Sequence, residues 1–120
     1  MSKISVLYVD DEENNLFSFK ANFRLKYKVH TAISGKDALE ILKKEAIDII
    51  ITDQRMPEMT GVEFLEKVID INAEPMRILL TGYTDMGAVI DAVNKGKIFH
   101  YLTKPWNESE LDETIQRAYQ

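Results

Sequence analysis

Five apolar runs alternate with stretches of helical periodicity along this chain, and that alternation restricts it to few folds. The runs are residues 4–9, 29–32, 47–52, 77–81 and 98–103. The first, third and fourth are nearly continuous in Val, Ile and Leu, as strands covered on both faces of a parallel sheet are. The second and fifth are shorter or more polar and read as edge strands. Between the runs, Leu16, Phe19, Lys20 and Phe23 follow the helical period, and Phe17 and Ala21 are expected to widen that apolar face. Ala38, Leu39, Ile41 and Leu42 mark a second helix, and Leu65, Val68 and Ile69 a third. Met86, Val89 and Val93 mark a fourth, and Leu111, Ile115 and Tyr119 a fifth.

Local start and stop signals agree with these limits. Thr60 and Glu63 have capping-box spacing, with Met59 and Phe64 placed as a hydrophobic staple. Asn107 and Glu110 repeat the device, with Trp106 and Leu111 as the staple. Ser34 and Thr84 are expected N-caps, and Gly96 a left-handed C-cap. Pro57, Pro75 and Pro105 all fall between elements, where a missing N–H does no harm. Strand–helix alternation predicts an α/β fold, with a parallel sheet, helices on both faces and right-handed crossovers. The pattern uses residues 1–120 throughout, so a single domain is expected.

The composition excludes several classes. Hydrophobic residues are 45% and charged residues 29%, a balance that supports an ordered core. No cysteine is present, which removes disulfides, thiolate metal sites and thiol catalysis and fits a reducing cytoplasm. The net charge is -5 and no basic stripe is evident, so direct nucleic-acid binding is not expected. No run approaches the ~20 apolar residues that cross a bilayer, and the apolar start ends in acids without a cleavage site. Neither membrane association nor a signal peptide is expected.

Open parallel sheets bind ligands beyond the carboxyl ends of their strands. Asp10, Asp11, Glu12 and Glu13 follow the first run, Asp53 follows the third, Thr81 and Gly82 close the fourth, and Lys104 follows the fifth. Three carboxylates in a small space repel, and a hard divalent cation such as Mg²⁺ relieves them. Lys104 adds an ammonium, Thr81 a hydroxyl, and Gly82 a backbone N–H that a ligand can approach. Together these are the parts that handle a phosphoryl group around a carboxylate nucleophile.

The segments Leu7-Tyr8-Val9-Asp10-Asp11-Glu12, Thr52-Asp53-Gln54-Arg55-Met56-Pro57-Glu58-Met59-Thr60-Gly61, Leu79-Leu80-Thr81-Gly82 and Tyr101-Leu102-Thr103-Lys104-Pro105-Trp106 occur in this order, each at a strand end. In this the chain resembles a response regulator receiver domain of bacterial two-component signalling, from end to end. The resemblance implies a doubly wound five-stranded sheet in the order 2-1-3-4-5. It implies that Asp53 accepts a phosphoryl group from a sensor histidine kinase or phosphotransfer protein. Asp11 and Asp53 would ligate Mg²⁺ directly with the backbone carbonyl of Arg55, and Asp10 largely through water. Lys104 would pair with the phosphoryl oxygens. Thr81 would move inward to them, helped by the N–H groups of Gly82 and Arg55, and Tyr101 would fill the space vacated. That movement would remodel the face of the fourth helix, fifth strand and fifth helix, which is also a plausible homodimer face. The output would lie in an attached domain or target protein, and the chain would be no enzyme beyond transfer to, and hydrolysis from, its own Asp53. The Lys104–Pro105 bond is often cis in this family. Asp-Gln-Arg-Met-Pro with Leu-Thr-Gly-Tyr and Lys-Pro-Trp looks like receivers that precede ATPase-type transcription activators or cyclic-dinucleotide phosphodiesterases.

Other readings remain beside this one. A small aspartyl-phosphate phosphatase of haloacid dehalogenase type shares the strand-end Asp, Thr and Lys but wants Asp-x-Asp at its nucleophile. A flavodoxin-like nucleotide or flavin binder would need a Gly-rich loop where this chain is acidic. A receiver-like module acting by protein contact alone would not need the Asp, Thr and Lys set. Arg55, with Asp53, Glu12 or a phosphoryl group as candidate partners, is expected to change the phosphoryl lifetime in one direction or the other. His30 and His100 read as strand-surface residues, Trp106 as a helix staple or partner-face residue, and Ile90 as exposed.

Overall fold

The computed structural model describes residues 3–82 and 86–119. Five strands and five helices alternate along the chain: β1 (Ser5–Val9), α1 (Glu13–Phe23), β2 (Lys28–Ala32), α2 (Gly35–Lys44), β3 (Ile49–Asp53), α3 (Gly61–Ile71), β4 (Met76–Thr81), α4 (Met86–Asn94), β5 (His100–Thr103) and α5 (Glu108–Tyr119). All four strand pairings are parallel, in the order β2-β1-β3-β4-β5. The two strands with polar or short runs are the edges, as their composition predicts. Every residue of β1 and β3 is buried, because helices cover both faces there.

Alternation along each strand divides the core in two. Leu7, Val9, Ile50 and Leu79 face Ala38 of α2, Phe64, Leu65 and Val68 of α3, and Val89 and Ala92 of α4. Val6, Tyr8, Ile49, Ile51, Ile78 and Leu80 face Phe19 and Phe23 of α1 and Leu111 and Ile115 of α5. Two expectations fail here. Phe17 is 76% exposed, because a residue two before Phe19 points about 200° away from it around a helix. Ala21 is likewise on the solvent side. Tyr119 is 55% exposed, and Thr114 and Ala118 take the buried places of the last α5 turns.

The helix ends follow the residues named for them. The Thr60 hydroxyl accepts the Glu63 N–H at 3.2 Å, and Glu63 accepts the Thr60 N–H at 2.9 Å, a complete capping box. Ser34 accepts the Asp37 N–H at 3.1 Å. Asn107 accepts the Glu110 N–H at 2.7 Å, without a return bond among the described residues. Gly96 has φ +76°, and the N–H groups of Gly96 and Lys97 donate to the carbonyls of Val93 and Ala92, closing α4 in a Schellman motif. Thr84 lies outside the described residues.

Candidate functional site

β1 ends at Val9, just before Asp10 and Asp11, and β3 ends on Asp53. β4 ends on Thr81, and β5 ends one residue before Lys104. Because these strands run parallel, all of these residues emerge at one edge of the sheet. Carboxylate oxygens of Asp10, Asp11 and Asp53 lie within 4.8 Å of one another. Asp10 is fully buried, Asp53 is 5% exposed and Asp11 is half-buried. Lys104 Nζ donates to Asp53 Oδ1 at 2.9 Å. Asp53 Oδ2 and both oxygens of Asp11 accept no hydrogen bond among the described residues.

The electrostatics follow from this crowding. Burial drives the Asp53 carboxyl above the usual carboxylate range, and Asp10 and Asp11 push the same way against the pull of Lys104. For Lys104, burial works against the ammonium, but the Asp53 hydrogen bond and the charges of Asp53, Asp10 and Glu12 outweigh it and hold its pKa above the ordinary value. Burial and the neighbouring Asp10 charge push the Tyr8 hydroxyl up, so it stays a proton donor.

Backbone packing fixes Asp53. A Cβ on Gly61 would lie 2.4 Å from the Asp53 carbonyl oxygen and 2.7 Å from Leu79 Cδ1, so only glycine lets α3 start there. The Gly61 N–H donates to the Gln54 carbonyl at 2.9 Å, and the Val62 N–H donates to Gln54 Oε1 at 2.9 Å. On the other side, Lys104–Pro105 is cis, and Trp106 lies edge-on to Phe19, which stacks on Tyr8 at 4.2 Å. Trp106 thus packs on the α1 side of the core, and a groove beside it is lined by Glu12, Asn15, Ser18 and Lys104.

Some named residues make no side-chain hydrogen bond to this cluster among the described residues. The Thr81 hydroxyl donates to the Gly82 carbonyl at 2.8 Å and not toward Asp53. Tyr101 is half-buried against the core cluster that holds Leu79, Val89 and Ala92. Arg55 is exposed and pairs with neither Asp53 nor Glu12, two of its three candidate partners; it lines a cleft with Asp11, Met56, Pro57 and Thr60. Sequence reading missed Tyr8, Asn15, Gln54 and the role of Gly61. Tyr8 was within reach, since residues two apart on a strand share a face and so align Tyr8 with Asp10. It also missed a local basic cluster. Residues 14–36 contain five Lys or Arg and no Asp or Glu. Lys3, Lys20, Arg24 and Lys28 line one cleft, at the amino edge of the sheet away from the acids.

The sequence model of the response regulator receiver domain matches residues 6–116. The chain belongs to that family. As a receiver it is 37% identical to the hydrogenase transcriptional regulatory protein HoxA of Cupriavidus necator over 114 residues, 95% of this chain and 24% of that protein. It is 33% identical to the regulatory protein AtoC of Escherichia coli, covering 96% of this chain and 25% of that one. The receiver therefore spans about a quarter of these curated relatives' length. A response regulator receiver domain from Clostridium thermocellum superposes with a TM-score of 0.91 at 32% identity, covering 97% of this chain and 94% of that one. A signal receiver domain of an HD domain-containing protein from Pseudomonas fluorescens superposes at 0.90 with 31% identity, over 97% and 94%. No helix among the described residues is long and apolar enough to cross a membrane.

The site's chemistry fits a hard dication. All of its free donors are oxygens, several are anionic, and neither sulfur nor imidazole is among them.

Proposed function

We propose that this receiver accepts a phosphoryl group on Asp53 from a phosphohistidine of a sensor kinase or phosphotransfer protein in the cytoplasm, and passes the signal to an output domain or target protein. The observation that carries this reading is Asp53 itself. It is buried, one oxygen is held by Lys104, and the other accepts no hydrogen bond from the described residues and lies beside two more carboxylates.

Asp11, Asp53 and the Arg55 carbonyl would hold Mg²⁺, with Asp10 behind them. Bound there, Mg²⁺ supplies the positive charge that lets an anionic phosphoryl group approach an anionic site. The remaining work falls to the chain. A free oxygen of Asp53 forms the new P–O bond as the donor's P–N bond breaks, and the leaving imidazole nitrogen keeps the electron pair. The Gly61 contact and the Lys104 hydrogen bond fix where that oxygen lies. Lys104 follows the charge from carboxylate to phosphoryl oxygen. Thr81 exchanges its bond to the Gly82 carbonyl for one to the phosphoryl group, with the N–H groups of Gly82 and Arg55 beside it. Tyr101 then packs deeper where Thr81 had been, which changes the face of α4, β5 and α5, including the exposed Ile90 and Phe99. That face is where a second copy or the output would sense the change.

Incubation with a small-molecule phosphodonor and Mg²⁺ should add one acid-stable, base-labile phosphoryl group, read by mass spectrometry. Asp53→Asn should abolish it, and equal labelling of that variant would overturn the assignment.

A further inference from the structure

We propose that Tyr8 and Asn15 set the metal preference of the acidic site, by withholding one oxygen of Asp10 from the ion. The inference rests on the proposed Mg²⁺ site. Asp10 is fully buried and accepts three hydrogen bonds. Its Oδ1 accepts the Glu12 N–H at 3.0 Å, and its Oδ2 accepts the Tyr8 hydroxyl at 3.2 Å and the Asn15 side-chain amide at 3.0 Å. A carboxylate offers about four acceptor sites, two on each oxygen. Tyr8 and Asn15 fill those of Oδ2, and Glu12 leaves one on Oδ1. Asp10 can therefore give one contact, direct or through water, and cannot chelate.

Both donors are held in place by the fold. Tyr8 lies on β1 with no exposed surface, its ring stacked on Phe19 with 9° between planes. Asn15 sits in the first turn of α1, its own N–H donating to the Glu12 carbonyl at 3.1 Å. With Asp10 restricted and one oxygen of Asp53 engaged by Lys104, the protein presents few direct oxygens. Mg²⁺ keeps several of its waters and is content with one or two carboxylates. Ca²⁺ takes six to eight oxygens and uses chelating carboxylates, so the restriction weighs against it. Freeing Oδ2 would let Asp10 chelate, and Ca²⁺ would gain more than Mg²⁺.

The test measures dissociation constants for Mg²⁺ and for Ca²⁺ by calorimetry and by the emission of Trp106, the sole tryptophan, which lines the groove with Asn15 and Lys104. Wild type, Tyr8→Phe, Asn15→Ala and the double variant are compared. The Ca²⁺/Mg²⁺ ratio of dissociation constants should fall by about tenfold in the double variant, the lower end of what partners of metal ligands contribute, and part-way in each single variant. If Asn15→Ala disturbs α1, Tyr8→Phe decides alone, since it keeps the stacked ring and removes only the hydroxyl. Wild-type Mg²⁺ binding with an unchanged ratio in folded variants would overturn this inference and leave the phosphoacceptor reading standing. A wild-type protein that binds neither ion would overturn the metal site as well.

Discussion

At Gly61 one added carbon would meet the backbone of Asp53 first and the buried Leu79 side chain next, and neither is the loose end of an exposed side chain. Gly61→Ala must move either the start of α3 or the end of β3. It should destabilise the protein by about 1–3 kcal/mol, as overpacking does, and slow labelling of Asp53 by displacing the carboxylate. A urea midpoint and a labelling rate check this, and wild-type values for both would contradict it. At Gly35 the close atom is the flexible end of Met59, so the same substitution there should cost less. Nothing near Gly61 in sequence announces the difference. The segment after Asp53 reads as a turn and a capping box, and the contact with the Asp53 carbonyl exists only once α3 folds back. Asn15 was hidden for the same reason, since its partner is five residues away across the turn from β1 into α1. Asp10, Asp11, Asp53 and Lys104 were legible because strand ends converge in this architecture whatever the side chains do.

The turn between α1 and β2 is tied to α5 by polar contacts. Asp112 accepts from Lys26 at 2.6 Å and from the Tyr27 hydroxyl, and Gln116 donates to that hydroxyl at 2.7 Å. Partial burial raises the Asp112 pKa, but the hydrogen bonds from Lys26 and Tyr27 outweigh it and hold the carboxyl below its ordinary value. A carboxyl depressed by folding lends stability above its unfolded pKa and loses it as pH falls through the folded one. Asp112→Asn should therefore unfold at lower urea than wild type near neutrality, with the difference fading below about pH 4. A constant difference across that range would show that packing, not charge, carries the tie. No periodicity reveals this link, because Lys26 and Asp112 are 86 positions apart. Periodicity did reveal each helix, and it failed only in assigning faces. Phe17 and Phe19 cannot both face the sheet, and Tyr119 in the last turn of α5 stays in solvent while Ala118 beside it packs. The strand order was not legible from periodicity either, since any order of these strands keeps the alternation, and only the family resemblance supplied it.

For the molecule as a whole, the convergence of carboxylates at the acidic site carries an electrostatic cost in stability. Twenty acidic residues against fifteen basic ones leave the chain negative, and three of the acids converge where burial weakens screening. Because the Asp53 pKa lies above its ordinary value, the folded protein holds that proton more tightly than the unfolded chain does. This group's contribution to stability is then full below the unfolded pKa and is lost as pH rises through the folded one. Asp53→Asn removes the charge and keeps an oxygen for the Lys104 ammonium. Near neutrality and in EDTA it should melt above wild type, by about 4 °C if the gain is about 1 kcal/mol. Lowering the pH should close the gap, since a protonated Asp53 is as neutral as asparagine. Adding Mg²⁺ should raise the wild-type midpoint more than that of Asp53→Asn, because a ligand stabilises only the form that binds it. Melting curves in EDTA and in Mg²⁺ at two pH values test both steps. Coincident midpoints throughout would mean that Asp53 carries no electrostatic strain and that the convergence of carboxylates is incidental to how this receiver works.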